Sequence, residues 1–197
     1  MSELLIATHN KGKIREFADL LAGLELSLRS LSDFPNITEV AESGQTFTEN
    51  AWLKAQGYSR QVGLPALADD SGLEVAALDN APGVFSARYG GEGLSDRQRV
   101  EKLLTELEKT SDRERRACFV CVIALTDKNG KIDYQATGIC HGRISAKPFG
   151  INGFGYDSIF IRDGFEKTFG ELPASVKHQI SHRAQAASQI MRYLQDI

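Results

Sequence analysis

Short apolar runs alternate with segments of helical apolar spacing along the first third of the chain. Residues 4–7 form an apolar run that predicts a strand, and beyond a polar turn the apolar positions of residues 14–24 recur at helical spacing. Residues 25–31 suit a second strand, and a Thr-x-x-Glu capping box at residues 46–49 opens a helix that reaches about residue 61. This alternation is typical of an α/β fold.

The middle of the chain carries a buried strand and a long hairpin. Residues 65–70 predict a strand that ends on two acids, because Gly72 interrupts the apolar run. An Asn-Gly pair at residues 129–130 is the strongest hairpin signal in the sequence, and it lies between the apolar segments 116–127 and 131–142. We therefore expect two long strands joined by a tight turn at this point.

Four further segments complete the prediction. They are a helix opened by a Ser-x-x-Gln capping box at residues 95–98, a Gly-rich loop at 149–154, a strand at 156–161 and a C-terminal helix capped near Ser181. Strand–helix alternation followed by a long hairpin favours an α/β fold with a mixed sheet. We expect residues 1–197 to form a single domain folded as two lobes rather than two independent domains.

Composition and charge exclude several classes of protein. The 197 residues are 42% hydrophobic and 25% charged, which excludes a disordered chain, a collagen-like repeat and a disulfide scaffold. The net charge of −3 lacks the basic excess of a general nucleic-acid binder. The sequence also lacks a run of about 18 apolar residues and a signal-peptide pattern at the N-terminus. From the charge we expect no nucleic acid as a partner, and from the absence of an apolar segment we expect no membrane.

Three cysteines, Cys118, Cys121 and Cys140, cannot all pair within one chain. Cys118 and Cys121 form a Cys-x-x-Cys pattern that could serve redox or zinc chemistry. They lie, however, in an apolar run that predicts a strand, where residues i and i+3 point to opposite faces. No second cysteine pair is present in the sequence to complete a zinc site. We therefore favour buried, reduced thiols and a cytoplasmic location.

A polar turn at residues 8–13 follows the first predicted strand and opens the first predicted helix. Backbone N–H groups at a helix N-terminus bind anions, and this turn adds a hydroxyl, an amide and two lysine ammonium groups. It is not a Walker A loop, because Ile14 stands where that motif has Ser or Thr. A phosphate site and an ordinary polar turn are both compatible with these residues.

Two adjacent acids, Asp69 and Asp70, end the buried strand and precede Ser71 and Gly72. Successive strand residues point opposite ways and adjacent carboxylates repel, so the pair is costly unless cations or hydrogen-bond donors hold it. Ligands of α/β sheets bind at strand ends, where one acid could ligate Mg²⁺ and orient or deprotonate a water. The alternative is an acidic turn with a helix cap, but we favour a functional role.

A basic cluster of Lys177, His178, His182 and Arg183 lies near the C-terminus. The two histidines have the i,i+4 spacing of a zinc helix, but Gln179 stands where the His-Glu-x-x-His motif has Glu. Lys177 and Arg183 could contact phosphate or a purine carbonyl oxygen. The alternative is a helix capped at its start, with solvated bases around it.

An aromatic residue between two glycines, Phe154, lies in the segment 153–157. Its ring could stack on a nucleobase, as aromatic side chains do in nucleotide sites. The alternative is a turn whose Phe side chain fills the core. The glycine spacing does not match a Rossmann fingerprint.

Taken together, these segments resemble the inosine triphosphate pyrophosphatase family, whose members are also called dITP/XTP pyrophosphatases. The resemblance covers nearly the whole chain and rests on six motifs that occur in order. They are Ala7–Lys13, Thr46–Ala51 with Lys54–Ala55, Ala68–Leu73, Pro82–Tyr89, Gly153–Asp157 and Ser181–Arg183.

The resemblance implies a homodimeric α/β protein with a long mixed sheet flanked by helices and a nucleotide cleft between two lobes. It implies Mg²⁺-dependent hydrolysis of a purine nucleoside triphosphate between the α and β phosphorus atoms. The preferred substrates would be ITP, dITP and XTP, and the products would be the nucleoside monophosphate and pyrophosphate. Such a reaction removes mutagenic precursors from the nucleotide pool.

The resemblance also implies roles for individual residues. Asp70 would be the general base and a metal ligand, with Asp69 supporting it, and Ser71 would touch the substrate. The phosphate contacts would be Thr8, His9, Asn10, Lys11, Gly12, Lys13 and Lys54. The base contacts would be Phe154 by stacking, Gly155, Tyr156, Asp157, Lys177, His182 and Arg183.

One segment departs from the family pattern. Some members have two successive acids before the glycine that matches Gly44, and the first of these is a proposed Mg²⁺ ligand. Here those positions are Ala41 and Glu42, with another acid at Glu39. We assign the second acidic metal ligand to Glu42, and Glu39 is the alternative.

Two other functions are compatible with the same residues. One is a pyrophosphatase that acts on other modified nucleotides, such as modified pyrimidines. The other is a nucleotide sensor without catalysis. Asp69 and Asp70 argue against the sensor, because binding a polyanion gains little from two acids beside the phosphates.

Overall fold

The computed structural model describes residues 2–111 and 115–196. Its strands are β1 (Ser2–Ile6), β2 (Leu26–Ser30), β3 (Ala66–Val75), β4 (Arg116–Thr126), β5 (Ile132–Ile144) and β6 (Phe160–Arg162). Its α-helices are α1 (Lys11–Leu20), α2 (Phe47–Val62), α3 (Asp96–Glu108), α4 (Ala174–Ile180) and α5 (His182–Gln195). None of the helices in these ranges is both long and apolar enough to cross a bilayer.

The six strands form one sheet in the order β2-β1-β3-β4-β5-β6. β1 pairs in parallel with β2 and with β3, so Ile6 lies opposite both Ser30 and Leu67. β5 pairs antiparallel with β6. The predicted α/β fold with a mixed sheet is therefore confirmed.

The chain divides into two compact units. Unit 1 comprises Met1–Asp70, Cys121–Gly138 and His182–Ile197, and unit 2 comprises Ser71–Val120 and Ile139–Ser181. Each unit has its own apolar core. The core of unit 1 includes Phe17, Leu67, Ile123 and Ile190, and that of unit 2 includes Phe119, Phe160 and Phe169. A single domain folded as two lobes stays a prediction.

Strand β3 continues beyond the point where the sequence predicted its end. The prediction that Gly72 breaks the strand is wrong, because β3 runs on to Val75. Leu73 and Val75 are fully buried in the core of unit 2, and the Leu73 N–H donates to the Ser86 hydroxyl (2.9 Å). Apolar burial that resumes after Gly72 outweighs the weak strand propensity of a single glycine.

The other predicted elements are largely present. The hairpin is confirmed, with the Gly130 N–H bonded to the Asp127 carbonyl (3.1 Å) and a positive φ of 79° at Gly130. The strand predicted from residue 156 begins only at Phe160, because the Ile159 N–H bonds to the Tyr156 carbonyl within a turn (3.0 Å). Helix α4 was not predicted.

None of the three cysteines is in a disulfide, as predicted. Cys121 and Cys140 are buried, whereas Cys118 is half-buried with its sulfur 3.5 Å from Glu74. Burial and the nearby Glu74 carboxylate raise the pKa of Cys118 to about 11, and burial likewise raises the pKa of Cys121. These thiols therefore stay protonated near neutral pH and are weak nucleophiles.

Gly138 on β5 should tolerate no larger side chain. A Cβ at Gly138 would lie 2.0 Å from the His182 carbonyl oxygen and 2.8 Å from the Ala186 nitrogen, both backbone atoms of α5. We expect Gly138→Ala to lower the free energy of unfolding by about 1–3 kcal/mol, as overpacking typically does. Urea unfolding followed by circular dichroism measures this decrease in the free energy of unfolding.

Gly23→Ala is the matched control. The nearest neighbour of its new Cβ is Met191 Cε at 3.9 Å, an ordinary contact distance. If Gly138→Ala unfolds at the same urea concentration as Gly23→Ala, the close packing of β5 against the start of α5 is contradicted.

Candidate functional site

Two adjacent carboxylates on β3, Asp69 and Asp70, lie at the centre of the site in unit 1. Only 1% of Asp69 and 6% of Asp70 is exposed. As the alternation of a strand requires, the two side chains point to different surroundings, and each has its own cations. The prediction that cations or donors must hold this pair is confirmed by their ion pairs.

Asp69 lies between two cations from different helices. Its Oδ2 is 3.0 Å from Lys13 Nζ on α1 and 3.0 Å from the Arg183 guanidinium on α5. Burial alone would raise the pKa of Asp69, but Lys13 and Arg183, with a smaller effect of Lys54, hold it well below its ordinary range. Asp69 is thus a permanently ionised group near neutral pH.

Arg183 joins Asp69 to a third carboxylate. Its second guanidinium nitrogen bonds to Glu16 on α1, and the Arg183 residue is 1% exposed. Burial opposes the charge of Arg183, yet Asp69 and Glu16 raise its pKa further above the ordinary value. The base contact implied for Arg183 stays a prediction, and the structure shows an internal ion-pair network that the sequence did not reveal.

Asp70 is held from helix α2. Lys54 Nζ lies 3.0 Å from Asp70 Oδ1, and Asn50 Nδ2 donates to Asp70 Oδ2 (3.3 Å). Burial raises the pKa of Asp70 above its ordinary value and the Glu42 carboxylate adds to this, whereas Lys54 and Lys13 oppose it. Asp70 therefore differs from its neighbour Asp69, whose pKa moves in the opposite direction.

Lys54 faces a second carboxylate, since its Nζ is also 3.2 Å from Glu42 Oε2. Burial works against the charge of Lys54, but Asp70, Asp69 and Glu42 outweigh it and raise its pKa. Two carboxylate oxygens thus converge on one ammonium group. Glu42 and Glu39, the alternative acid, are both exposed, and the contact with Lys54 is what favours Glu42.

This donor set fits a hard divalent cation. Carboxylate oxygens suit Mg²⁺, which is commonly bound by one or two protein carboxylates together with substrate phosphates. Asp70 and Glu42 are oriented toward the same positive charge, so they could share such an ion. Over residues 2–111 and 115–196, no cluster of three or more His, Cys, Asp or Glu forms a metal cage by itself. Water molecules or phosphate oxygens would have to complete the coordination.

The turn before α1 is confirmed as a strand–turn–helix connection. Asn10 caps the helix, and its Oδ1 accepts from the N–H groups of Gly12 (2.8 Å) and Lys13 (3.1 Å). The Thr8 hydroxyl accepts from the Asn10 N–H (3.2 Å). Two of the backbone donors predicted to face an anion are therefore bonded to Asn10. His9 and Lys11 are exposed beside them.

A second cluster lies in unit 2. Lys177 Nζ is 2.5 Å from Asp157 Oδ2 and lies over the Phe154 ring, 4.8 Å from its centroid. Asp157 Oδ2 also accepts from the Phe154 N–H (2.9 Å). Gly153 has a φ of +76°, and a Cβ there would lie 2.0 Å from the same oxygen. The turn thus fixes a half-buried aromatic ring beside a buried cation.

The other residues predicted to line the base site have defined places. The Tyr156 hydroxyl donates to the Ser86 carbonyl (2.9 Å), and the Gly155 N–H donates to Asp96 Oδ2 (2.7 Å). Ser71 is half-buried on β3 directly after Asp70. Tyr156 is therefore a core residue as well as a neighbour of the turn.

The alternative that the basic side chains near Ser181 are exposed to solvent is wrong for three of them. Lys177, His182 and Arg183 are each buried, at 4%, 4% and 1% exposure. The structure brings the predicted residues into three contact sets: Lys13, Asp69 and Arg183; Lys54, Asp70 and Glu42; and Phe154, Asp157 and Lys177.

Sequence reasoning missed Asn50 and Glu16. Both are buried polar side chains that contact predicted site residues. A signal for Asn50 was present, because it lies four residues before Lys54 and therefore on the same face of α2. Glu16 carried no comparable signal, since its partner Arg183 is remote in sequence.

The chain is similar to known proteins along nearly its whole length. The model of the Ham1 family matches residues 4–193. The chain is 50% identical over 194 residues to a dITP/XTP pyrophosphatase of Geobacter sulfurreducens, covering 98% of this chain and 97% of that one. It is 43% identical over 198 residues to a dITP/XTP pyrophosphatase of Oceanobacillus iheyensis, covering 100% of both. A HAM1 protein structure from Coxiella burnetii matches with a TM-score of 0.91 at 43% identity, covering 100% of both chains.

The acid dependence of stability should reveal the role of Asp69. Because the folded-state pKa is depressed, ionised Asp69 stabilises the fold above the unfolded pKa of about 3.9, and this contribution falls steadily as the pH drops from that value toward the folded-state pKa. We expect Asp69→Asn to lower the free energy of unfolding at pH 7. We expect the difference from wild type to shrink progressively below about pH 5.

Urea unfolding at about pH 7, 4, 3 and 2.5 measures this difference. Asp133→Asn, at an exposed position of β5, is the matched control and should leave stability nearly unchanged at each pH. A deficit in Asp69→Asn that stays constant, or grows, as the pH falls would contradict the role of the ionised Asp69 carboxylate.

Proposed function

Because the chain belongs to the Ham1 family, as the resemblance in its sequence indicated, we propose that it is a nucleoside triphosphate pyrophosphatase. Its substrates are dITP, ITP and XTP, and its products are the nucleoside monophosphate and pyrophosphate. The name dITP/XTP pyrophosphatase of its relatives supports this substrate class. The observation that carries the proposal is the buried Asp70, which faces Lys54 and Glu42 beside an ionised Asp69.

The phosphate chain is handled by the residues of unit 1. Phosphoryl transfer needs charge neutralisation and positioning more than covalent chemistry by the protein. Lys13 and Lys54 supply two ammonium groups, each held by a carboxylate of β3. The turn at residues 8–13 adds side-chain donors at the start of α1. A triphosphate that approaches these lysines gains phosphate contacts from both, while Lys13 stays bonded to Asp69.

Asp70 acts on the attacking water. A general base is most effective when its pKa lies near the working pH, and burial raises the pKa of Asp70 toward that range. Asp69 does not share this role, because its pKa is strongly depressed and its Oδ2 is held by Lys13 and Arg183. Asp70 is therefore the acid that accepts a proton, and Asp69 is the acid that holds Lys13 and Arg183 in place.

Mg²⁺ is the metal that suits this site. Asp70 and Glu42 would hold it, because both carboxylates already converge on the Lys54 ammonium. When bound, the ion supplies neutralisation of phosphate charge. With the two carboxylates on the ion, Lys54 would bind a phosphate oxygen in their place.

We assign the base of the nucleotide to the cluster of Phe154, Asp157 and Lys177. The Phe154 ring offers a stacking face, and Lys177 offers a donor for the 6-oxo group of hypoxanthine or xanthine. Adenine presents an amino group at that position, which would leave the donor unpaired. Sites built on such bonds discriminate by about 10⁴ or more. The base contacts implied for His182 and Arg183 stay predictions.

A homodimeric state and a cytoplasmic location are further parts of the proposal. The homodimer is supported by the resemblance of the sequence. The location is supported by the reduced thiols of Cys118, Cys121 and Cys140, none of which is in a disulfide.

Removing the proposed general base, Asp70, should greatly slow turnover but leave nucleotide binding intact. We expect wild type with Mg²⁺ to release pyrophosphate, not orthophosphate, from dITP. We expect Asp70→Asn to lower kcat by about 10²–10⁴-fold, with affinity for dITP measured by calorimetry largely retained. Coupled pyrophosphate detection measures turnover, and Asp133→Asn is the control for loss of an exposed carboxylate.

Full activity of Asp70→Asn would contradict the assignment of Asp70 as the general base. A preference of wild type for UTP or dTTP over dITP would remove the purine assignment. Binding of dITP with no release of pyrophosphate by wild type would instead support a nucleotide sensor.

Removing the stacking ring should affect binding rather than chemistry. We expect Phe154→Ala to raise KM for dITP by about 5–100-fold, since stacking contributes about 1–3 kcal/mol per base, with little change in kcat. Phe85→Ala, which removes a ring more than half exposed in the same unit, is the control. An unchanged KM in Phe154→Ala, measured by steady-state kinetics, would contradict the stacking role.

A further inference from the structure

Asn50, a fully buried side chain in the first turn of α2, uses both ends of its amide. Its Nδ2 donates to Asp70 Oδ2 (3.3 Å), and its Oδ1 accepts from the Gly44 N–H (2.8 Å). Only this orientation of the amide satisfies both partners, because a carboxylate accepts and a backbone N–H donates. Asn50 therefore links the backbone at Gly44 to the carboxylate of Asp70.

Helix α2 holds both oxygens of Asp70. Lys54 lies four residues after Asn50, on the same face of the helix, and its Nζ bonds to Oδ1 while Asn50 bonds to Oδ2. A carboxylate bonded through both oxygens cannot turn about its Cβ–Cγ bond without losing these contacts. The plane of the Asp70 carboxylate is thus set by one helix face.

The loop that carries Glu42 is fastened to the same helix turn. Glu49 Oε2 accepts from the N–H groups of Gln45 (2.7 Å) and Thr46 (3.1 Å), and Asn50 accepts from Gly44. The contact at Gly44 is close, since a Cβ there would lie 2.7 Å from Asn50 Oδ1. Both Glu49 and Asn50 hold the loop, and Asn50 also reaches Asp70.

We propose that Asn50 is a positioning residue that fixes Asp70 and the Glu42 loop relative to each other, so that both carboxylates face one cation. Asn50 acts through these two groups, the Gly44 backbone and the Asp70 carboxylate. The inference deepens the proposed function and rests on it for the identity of the reaction. The bonds that carry it join groups within unit 1.

Two substitutions separate the bonds of Asn50. Asn50→Ala removes both, whereas Asn50→Asp keeps an acceptor for Gly44 but cannot donate to Asp70 when ionised. We expect each to lower kcat for dITP by about 10–100-fold, the usual effect of losing a group that orients a metal ligand, with little change in KM. We also expect Asn50→Ala to bind Mn²⁺ more weakly by a similar factor, measured by electron paramagnetic resonance.

Thr46→Ala controls for a merely structural role. It removes the capping hydroxyl that bonds to the Glu49 N–H (3.1 Å) but leaves Asn50 intact. It should lower the melting temperature and leave kcat and Mn²⁺ binding near wild type. Wild-type kcat in Asn50→Asp, or an equal loss of kcat in Thr46→Ala, would overturn the positioning role.

The outcome stays distinguishable from failure of the proposed function. If wild type releases no pyrophosphate from any purine triphosphate, the proposed function fails, whereas Mn²⁺ binding still tests Asn50. Asp70→Asn then serves as the reference for loss of a ligand. Wild-type Mn²⁺ affinity in Asn50→Ala, with affinity lost in Asp70→Asn, would overturn the inference on Asn50 alone.

Discussion

Two neighbouring carboxylates on one buried strand impose the main constraint on this protein. Taking an ion out of water costs several kcal/mol unless a partner compensates it, and Asp69 and Asp70 point to opposite surroundings. Each acid therefore needs its own cations, and these come from three separate helices. Lys13 on α1 and Arg183 on α5 hold Asp69, and Lys54 on α2 holds Asp70. The helices of unit 1 are thus tied to β3 by charge as well as by apolar packing.

The same compensation separates the two acids chemically. The pKa of Asp69 is pushed down by Lys13 and Arg183, whereas burial and Glu42 raise that of Asp70. Pairs of titratable groups with opposite pKa shifts are typical of enzyme sites where one group stays ionised and another exchanges a proton. In the proposed pyrophosphatase, Asp69 keeps Lys13 and Arg183 in place, and Asp70 accepts a proton from the attacking water. Glu42 adds charge beside Asp70, which suits a divalent cation and a polyanionic substrate together.

Much of this architecture could be predicted from the sequence, because local patterns encode it. Capping boxes, the Asn-Gly turn and the apolar runs located most elements, and the Asp69–Asp70 pair located the site. Contacts between residues remote in sequence could not be predicted in this way. Glu16 and Arg183 meet only in the folded chain, and Asn50 bonds to Asp70 across twenty residues. The end of β3 was wrong because burial of Leu73 and Val75, a tertiary effect, decides it.

The central claim is that Asp70 engages the cation while Asp69 remains bonded within the protein. Anomalous diffraction from crystals grown with Mn²⁺ and a non-hydrolysable dITP analogue tests it most directly. We expect a manganese peak at coordination distance from an Asp70 oxygen and from Glu42, with Asp69 still bonded to Lys13 and Arg183. A peak on Asp69, or an Asp69 carboxylate that has left Lys13 and Arg183 to bind the metal, would contradict it.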